Sequence, residues 1–271
     1  MSSENVLVTG SYDHTIKFWS TDKSTWEKKF SLPIQNEIVN RMTISPNKKT
    51  LLCGCTNSLK IFDLDDNSSF SLKHSYAYNC NVTCVGYKRD SEWLFAGSED
   101  GLVKIFDPRL DKSQTLNIPK KNPGAAINSI VLSPIQSDII TGDQDGNIII
   151  YDLVAGKTKY EFCPDKKHSI TWLNISYNPT YLIASNSGGG IWIAKYDKDS
   201  RDIVSTTDPN DLIKAHDGYI LQSSISHDVK TLATCSADRT MKLWKITNEA
   251  PYIRQENILY GHTGWVWDSA F

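Results

Sequence analysis

A repeated unit constrains this chain more than any single motif does. A turn carrying Asp or Gly precedes a strand of alternating apolar residues, which leads to an aromatic residue that usually has an acid after it. The copies read SYDHTIKFWS (11–20), TNSLKIFDL (56–64), EDGLVKIFDPR (99–109), DQDGNIIIYDL (143–153), SGGGIWIAKYD (187–197) and SADRTMKLWKI (236–246). The anchor positions, spaced 43 to 50 residues apart, are Trp19, Phe62, Phe106, Tyr151, Ala194 and Trp244.

Each repeat also contains three further strand-like segments, such as VNRMTISPN, TLLCGC and TKYEF. Short strands of period 2 joined by Gly, Asp and Asn turns build antiparallel meanders. Because a lone four-stranded sheet cannot cover both of its faces, the sheets must stack, and a ring removes the exposed ends of the stack. We therefore expect residues 1–271 to form one all-β propeller domain. A two-sheet sandwich would leave the fixed period unexplained.

Composition excludes several function classes. The chain has 29 Lys and Arg against 31 Asp and Glu, a net charge of −2, so we expect neither a nucleic-acid nor a membrane partner. The first residues lack the pattern of a secretory signal, which favours a cytoplasmic protein. The cysteine pairs Cys53/Cys55 and Cys80/Cys84 lack a matching second pair, so we expect reduced, buried thiols and neither a metal site nor a cofactor.

The repeat resembles that of the WD-repeat β-propeller family, which has a period of roughly 40 to 45 residues. The resemblance implies a buried hydrogen-bond network in the sixth repeat, formed by His216, Thr234 or Ser236, Asp238 and Trp244. We interpret these polar residues as structural. The other repeats lack most of this set, and their blades should depend more on apolar packing.

The two ends of the chain leave the blade number open. The chain begins with the second strand of a blade, NVLVTGS, and ends with what reads as a first strand, GHTGWVWDSAF. If these two strands close a six-bladed ring, His262 can complete a network with Asp13 and Trp19. The family that the chain resembles most has seven blades, which favours a fragment that lacks about one repeat.

Several segments resemble the small propeller subunit of target-of-rapamycin kinase complexes. They are GSYDHTIKFW, GDQDGNIIIYDL, IKAHDGYILQSSIS, LATCSADRTMKLWKI and GWVWDSAF, and the similarity is collinear over essentially the whole chain. It implies a non-catalytic scaffold that binds and stabilises the kinase domain, together with other subunits, in growth and nutrient signalling. The location it implies is the cytoplasm, or endomembranes reached through the complex.

Candidate binding residues follow from the first strand of each blade, whose first and third residues should point the same way at one rim. These pairs include Trp265 with Trp267, Tyr219 with Leu221, and Ile38 with Asn40. Exposed aromatic residues make good interface anchors, and the resemblance implies that the Trp pair lies on the kinase-facing rim. We predict partner binding by Trp265, Trp267, Tyr219, Ile38 and Asn40. Packing between blades is the alternative role for the two Trp.

The sequence leaves two alternative functions to consider, adaptor binding and catalysis. The segment Phe106-Asp107-Pro108-Arg109 resembles the short box by which some WD propellers attach to a cullin-ligase adaptor, although the helical extension usual in such receptors is lacking. A propeller enzyme would need several His and carboxylates that converge on one rim. The six His are scattered, and no nucleophile with a base emerges, so we predict no catalytic residue.

Overall fold

The computed structural model describes residues 5–22, 25–34, 36–64, 70–90, 93–109, 112–116, 118–119, 122–134, 137–176, 181–196, 203–204, 212–247 and 252–271. The regular structure of these residues is β-strand throughout, which confirms the all-β prediction. Within the described ranges no helix is long and apolar enough to cross a membrane. The chain divides into two compact units, Met1–Leu116 and Asn117–Phe271. The single-domain assignment stays a prediction.

The first unit contains three antiparallel sheets among its described residues. The first sheet has three strands: β1 (Asn5–Gly10), β2 (Thr15–Asp22) and β3 (Thr25–Pro33). The second has four: β4 (Val39–Ile44), β5 (Thr50–Cys55), β6 (Ser58–Asp63) and β7 (Leu72–Ala77). The third also has four: β8 (Val82–Tyr87), β9 (Leu94–Ser98), β10 (Val103–Asp107) and β11 (Lys112–Leu116).

The second unit likewise contains three sheets in its described part. The fourth sheet is β12 (Ile127–Leu132), β13 (Asp138–Asp143), β14 (Ile148–Asp152) and β15 (Lys157–Phe162). The fifth is β16 (Ile170–Ile175), β17 (Tyr181–Asn186), β18 (Gly190–Tyr196) and β19 (Ile203–Val204), with β20 (Ile213–Lys214) also paired to β18. The sixth is β21 (Ile220–Ile225), β22 (Thr231–Ser236), β23 (Met241–Ile246) and β24 (Ile253–Leu259).

The position of a strand in its sheet explains its composition. Second strands such as β13 and β17 are buried along their whole length, so both of their faces are apolar or carry small polar side chains. Fourth strands such as β7 and β24 are mostly exposed and read as polar, charged segments. Continuous apolar runs therefore mark the second strand of a sheet, and polar segments mark the fourth.

Within each unit, neighbouring sheets pack face to face. The core between the first and second sheets includes Ile16, Phe18, Val39, Leu51, Cys53 and Phe62. The core between the fifth and sixth sheets includes Tyr181, Ile183, Ile191, Ile220, Leu232 and Trp244. In both cores the aromatic anchor of the later sheet packs against the earlier sheet. The anchor therefore contributes chiefly to stacking between repeats.

The first strand of every four-stranded repeat carries one extra residue opposite its second strand. The register shifts occur between Val39 and Arg41, Val82 and Cys84, Ile127 and Ser129, Ile170 and Trp172, and Ile220 and Gln222. An unpaired residue of this kind is a β-bulge, which redirects its side chain and breaks the alternation of the strand. The alternation on which the pairing of first and third rim residues depends is therefore interrupted at these positions.

The last segment differs from the prediction. Residues 261–271, predicted to be a first strand, form no strand in this described part of the chain. The segment lies beside the sixth sheet: Val266 donates its backbone N–H to the Ser236 carbonyl at the end of β22 over 3.1 Å, and Ser269 hydrogen-bonds with Gln222 in β21.

Candidate functional site

The sixth sheet contains a buried chain of hydrogen bonds. The Trp244 indole donates its N–H to the Thr234 hydroxyl over 3.0 Å, and that hydroxyl lies 2.8 Å from Nε2 of His216. The other ring nitrogen, Nδ1, lies 2.8 Å from an Asp238 carboxylate oxygen. Thr240 donates its backbone N–H and its hydroxyl to the second oxygen of Asp238. The structure thus brings together His216, Asp238 and Trp244, with Thr234 rather than Ser236 between the rings.

Protonation of this network follows from its geometry. Burial lowers the pKa of His216, although the hydrogen bond to Asp238 acts in the opposite direction, so the ring is neutral at pH 7. Hydrogen bonds from Thr240 and His216 outweigh burial and lower the pKa of Asp238 to about 2. A neutral ring protonated at Nδ1 donates to ionised Asp238 and accepts the Thr234 hydroxyl proton at Nε2. Both ring nitrogens are then satisfied.

The first sheet repeats part of this network. The Trp19 indole donates to the Thr9 hydroxyl over 2.8 Å, and Asp13 accepts bonds from the backbone and hydroxyl of Thr15. Hydrogen bonds from Lys17 and Thr15 hold the pKa of Asp13 well below its usual range. His262 lies exposed in the second unit. Its predicted link to Asp13 and Trp19 would join the two units and stays a prediction.

The residue type at each anchor position is related to that of one residue on the second strand of the same sheet. Each anchor lies opposite a Leu or Ile of the second strand, and the residue two positions after this Leu or Ile faces the anchor. In sheet order the facing pairs are Thr9/Trp19, Cys53/Phe62, Ala96/Phe106, Thr141/Tyr151, Ala184/Ala194 and Thr234/Trp244. Trp has a Thr acceptor, whereas Phe and Ala have an apolar or thiol neighbour. Only Thr141 breaks this rule in the described residues, and its buried hydroxyl has no hydrogen-bond partner.

The residue that holds the turn after the second strand changes in two sheets, which was not predicted. In the fourth and fifth sheets the last residue of the second strand takes over the role of the turn Asp. Asp143 accepts the backbone N–H groups of Asp145 and Asn147, and Asn186 accepts those of Gly188 and Gly190. The signal lay in the sequence, since Ser, the usual residue before the turn, is replaced there by an acid and an amide.

An exposed aromatic surface lies beside the sixth sheet; we define it as Tyr219, Trp265 and Trp267. Their side chains are 54%, 52% and 56% exposed. The two Trp rings have centroids 5.5 Å apart and are tilted by 47°. The Tyr219 carbonyl accepts the N–H of Ala237, and the neighbouring Ser236 carbonyl accepts the N–H of Val266. The structure therefore brings these three predicted binding residues to one turn.

Two further contacts fix the segment that carries the Trp pair. The Gln222 side chain donates to the Ser269 carbonyl over 3.3 Å, and the Ser224 and Ser269 hydroxyls lie 3.0 Å apart. Val266 between the two Trp is buried at 6% exposure. The backbone is thus held between the two indoles and again after Trp267, which lowers the entropy that the rings lose when a partner binds.

The remaining two predicted binding residues lie in the first unit. The Asn40 side chain donates to the Val82 carbonyl over 3.3 Å, so it links the first strands of the second and third sheets. Ile38 is half-buried and bonds to Thr56 through its backbone carbonyl. Asn128 makes the same kind of contact with Ile170 in the second unit. The Asn at the bulge therefore joins neighbouring sheets, and its use by a partner stays a prediction.

The Phe106–Arg109 box, the alternative adaptor site, forms a closed local contact. The Arg109 guanidinium donates through Nε and Nη2 to both oxygens of Asp107, at 3.0 and 2.9 Å. Next to it is a small cavity of about 160 Å³, lined by Thr50, Lys73, His74 and Tyr87 among others. The Arg109 side chain stays exposed in this ion pair, and adaptor binding by the box stays a prediction.

The cysteines have the environment of core residues. Cys53, Cys55, Cys84 and Cys235 are buried free thiols. Burial raises the pKa of Cys55 to about 11 and that of Cys84 to about 12. In the part of the chain that the structure describes, no group of three or more His, Cys, Asp or Glu side chains could hold a metal ion.

Comparison with known proteins agrees with this architecture. The family described as WD domain, G-beta repeat matches residues 1–20, 70–107 and 207–245. Together with the six sheets, this match confirms the predicted WD-repeat β-propeller class.

Similar proteins align along nearly the whole chain. Target of rapamycin complex subunit LST8 of Bos taurus is 32% identical over 266 residues, which are 97% of this chain and 80% of the relative. Subunit LST8-1 of Arabidopsis thaliana is 34% identical over 260 residues, 96% of this chain and 82% of the relative. Subunit LST8 of Saccharomyces cerevisiae is 31% identical over 258 residues, 95% and 81% respectively. The chain therefore belongs to the LST8 family of WD-repeat proteins.

Proposed function

We propose that this chain is a non-catalytic subunit of a target of rapamycin complex, which binds the kinase domain and stabilises its active arrangement. The observation that carries the proposal is the aromatic surface, on which three large rings are each more than half exposed. Trp and Tyr are the side chains that most often anchor protein interfaces. The names of the similar proteins as complex subunits support the choice of partner.

The non-catalytic part of the proposal rests on how the His residues are used. Both ring nitrogens of His216 are engaged in the buried network and the residue is only 1% exposed, so its ring is not presented to a substrate. His168 has its Nδ1 within 2.6 Å of Asp165. A subunit that binds only the active arrangement of a kinase raises the population of that state without any chemistry of its own.

We further propose that the protein acts in the cytoplasm, beside the other subunits of the complex. The scaffold role requires only that its surface remain rigid while partners bind. The backbone contacts of Val266 and Ser269 supply such rigidity beneath the aromatic surface.

The test is recovery of partners from cells that express the tagged chain. We expect a target of rapamycin kinase to co-purify with the parent and to be lost with the double variant Trp265→Ala, Trp267→Ala. Trp26→Ala is the matched control, because Trp26 is also 52% exposed but lies in the outer strand of the first sheet. Absence of the kinase from the parent sample would contradict the proposal.

A further inference from the structure

We infer that Asp238 is a positioning residue for the aromatic surface, because its carboxylate closes the turn that holds all three rings in place. The inference deepens the function proposed above, on which its binding test rests. It adds the residue that sets the geometry of the contact without touching the partner. Asp238 acts through the turn Ser236–Thr240, which begins at the last residue of β22 and bonds to both segments that carry the rings.

Two backbone groups of this turn hold the segments of the aromatic surface. The Ala237 N–H donates to the Tyr219 carbonyl over 2.9 Å. The Ser236 carbonyl accepts the N–H of Val266, which stands between the two Trp in the sequence, over 3.1 Å. The bonds of Ser269 come only after both Trp. A displacement of the turn would therefore move the phenol ring and the indole pair relative to each other.

The Asp238 carboxylate closes the turn and ties it to the segment before β21. One oxygen accepts the Thr240 backbone N–H over 2.9 Å and the Thr240 hydroxyl over 2.6 Å. The other oxygen lies 2.8 Å from Nδ1 of His216, which precedes Tyr219 in the same segment. The Asp238 N–H donates to the Ser236 hydroxyl over 3.1 Å. One residue thus holds both the shape of the turn and its distance from Tyr219.

The backbone of this turn depends on such support. Arg239 has a φ of +70°, in the left-handed region where a Cβ crowds the following carbonyl oxygen. A strained residue keeps its conformation only where the surrounding contacts over-determine it. Loss of the Asp238 bonds should therefore let the turn relax and move the Ser236 carbonyl away from Val266. Three other turns have glycine at the equivalent position, where the same conformation is not strained: Gly101, Gly146 and Gly189.

The first test measures the affinity of variants of the full chain for the intact target of rapamycin kinase of the same organism. Asp238→Ala removes both carboxylate contacts, and we expect Kd to rise about tenfold because the rings are no longer ordered before binding. Asp238→Asn keeps an oxygen for Thr240, as Asn186 does in the fifth sheet, so Kd should stay within about twofold of the parent. Asp100→Ala is the matched control, because Asp100 accepts the Leu102 N–H at the same place in the turn of the third sheet. It should leave Kd unchanged.

The second test reads the position of the rings without any partner. The eight Trp of the chain can be replaced by fluorotryptophan, and single Phe variants then assign the fluorine NMR resonances of Trp265 and Trp267. Asp238→Ala should shift or broaden both resonances, whereas Asp238→Asn and Asp100→Ala should leave them as in the parent. Melting curves followed by circular dichroism set a temperature at which every variant is folded.

The outcomes separate this inference from the proposed function. If the parent binds the kinase but Asp238→Ala changes neither Kd nor the two resonances, the function survives and the positioning role is refuted. A rise of Kd without any change in the resonances would mean that Asp238 touches the partner directly, and an equal rise for Asp100→Ala would indicate a general loss of stability. Either result also refutes the positioning role. If the resonances move but the parent does not bind the kinase, the proposed function fails and the positioning of the rings by Asp238 stands.

Discussion

The Thr234→Val substitution isolates the buried hydrogen-bond network of the sixth sheet. Val has nearly the shape of Thr but neither accepts from Trp244 nor donates to His216, so two buried polar groups lose a partner. Each such loss costs roughly 1–3 kcal/mol, so the two together should destabilise the fold by about 2–6 kcal/mol. Thr141→Val removes a hydroxyl that has no partner, so its effect should lie between zero and about 1 kcal/mol of stabilisation.

The two variants form a matched pair, because both Thr are buried at 0–1% exposure on second strands of the same unit. The assay is urea denaturation followed by far-ultraviolet circular dichroism, with parent and variants measured side by side. The difference between their midpoints reports the hydrogen bonds, since both variants replace a buried hydroxyl by a methyl group. Equal shifts for the two variants would refute the assignment of Thr234 as the central member of the network.

Three other predictions concern turns, pH and thiols. Gly189→Ala should destabilise the fold by more than about 2 kcal/mol, because φ is +79° and the new Cβ would lie 2.1 Å from a backbone oxygen. Gly156→Ala, at φ +64° but with room for a Cβ, should cost only about 1 kcal/mol in the same urea denaturation assay. The pKa of His216 is lowered in the folded state, so the unfolded state binds a proton first as the pH falls. Stability should therefore decrease below about pH 6.5, by at most about 1.4 kcal/mol per pH unit. A His216→Asn variant should lose this dependence between pH 7.5 and 5.5. Four thiols are buried and should stay unreactive toward a disulfide reagent at pH 8 until urea is added: Cys53, Cys55, Cys84 and Cys235. Because Cys80 and Cys163 are partly exposed, rapid labelling of more than two thiols without urea would contradict the assigned burial.

The strand order could be predicted from the sequence because it depends on local periodicity. Turns with Asp or Gly and continuous apolar second strands are visible in the sequence, and the Trp244 network was implied by the resemblance to WD repeats. The bulge at Asn40 could not be predicted, because an extra residue in one strand is defined only against its partner. The same applies to residues 261–271, which read as a strand in the sequence but form no strand in this described part of the chain.

The aromatic surface was predicted only in part. Trp265, Trp267 and Tyr219 were chosen for their position in the repeat, and they meet at one turn. Their proximity could not be predicted, because it depends on backbone hydrogen bonds of Ser236 and Ala237 with residues far away in the sequence. Local composition predicts which side chains are large and exposed, and long-range pairing determines which of them are neighbours.

The match between each anchor and the residue that faces it limits which single substitutions a repeat can accept in evolution. A Trp needs an acceptor opposite, and a Thr opposite Phe would bury a hydroxyl without a partner, so either replacement alone is unfavourable. A repeat can exchange its polar contact for an apolar one only through two linked substitutions, or through a strained intermediate. The Thr141/Tyr151 pair has the composition of such an intermediate, and Tyr151→Trp is the single step that would return a donor to Thr141.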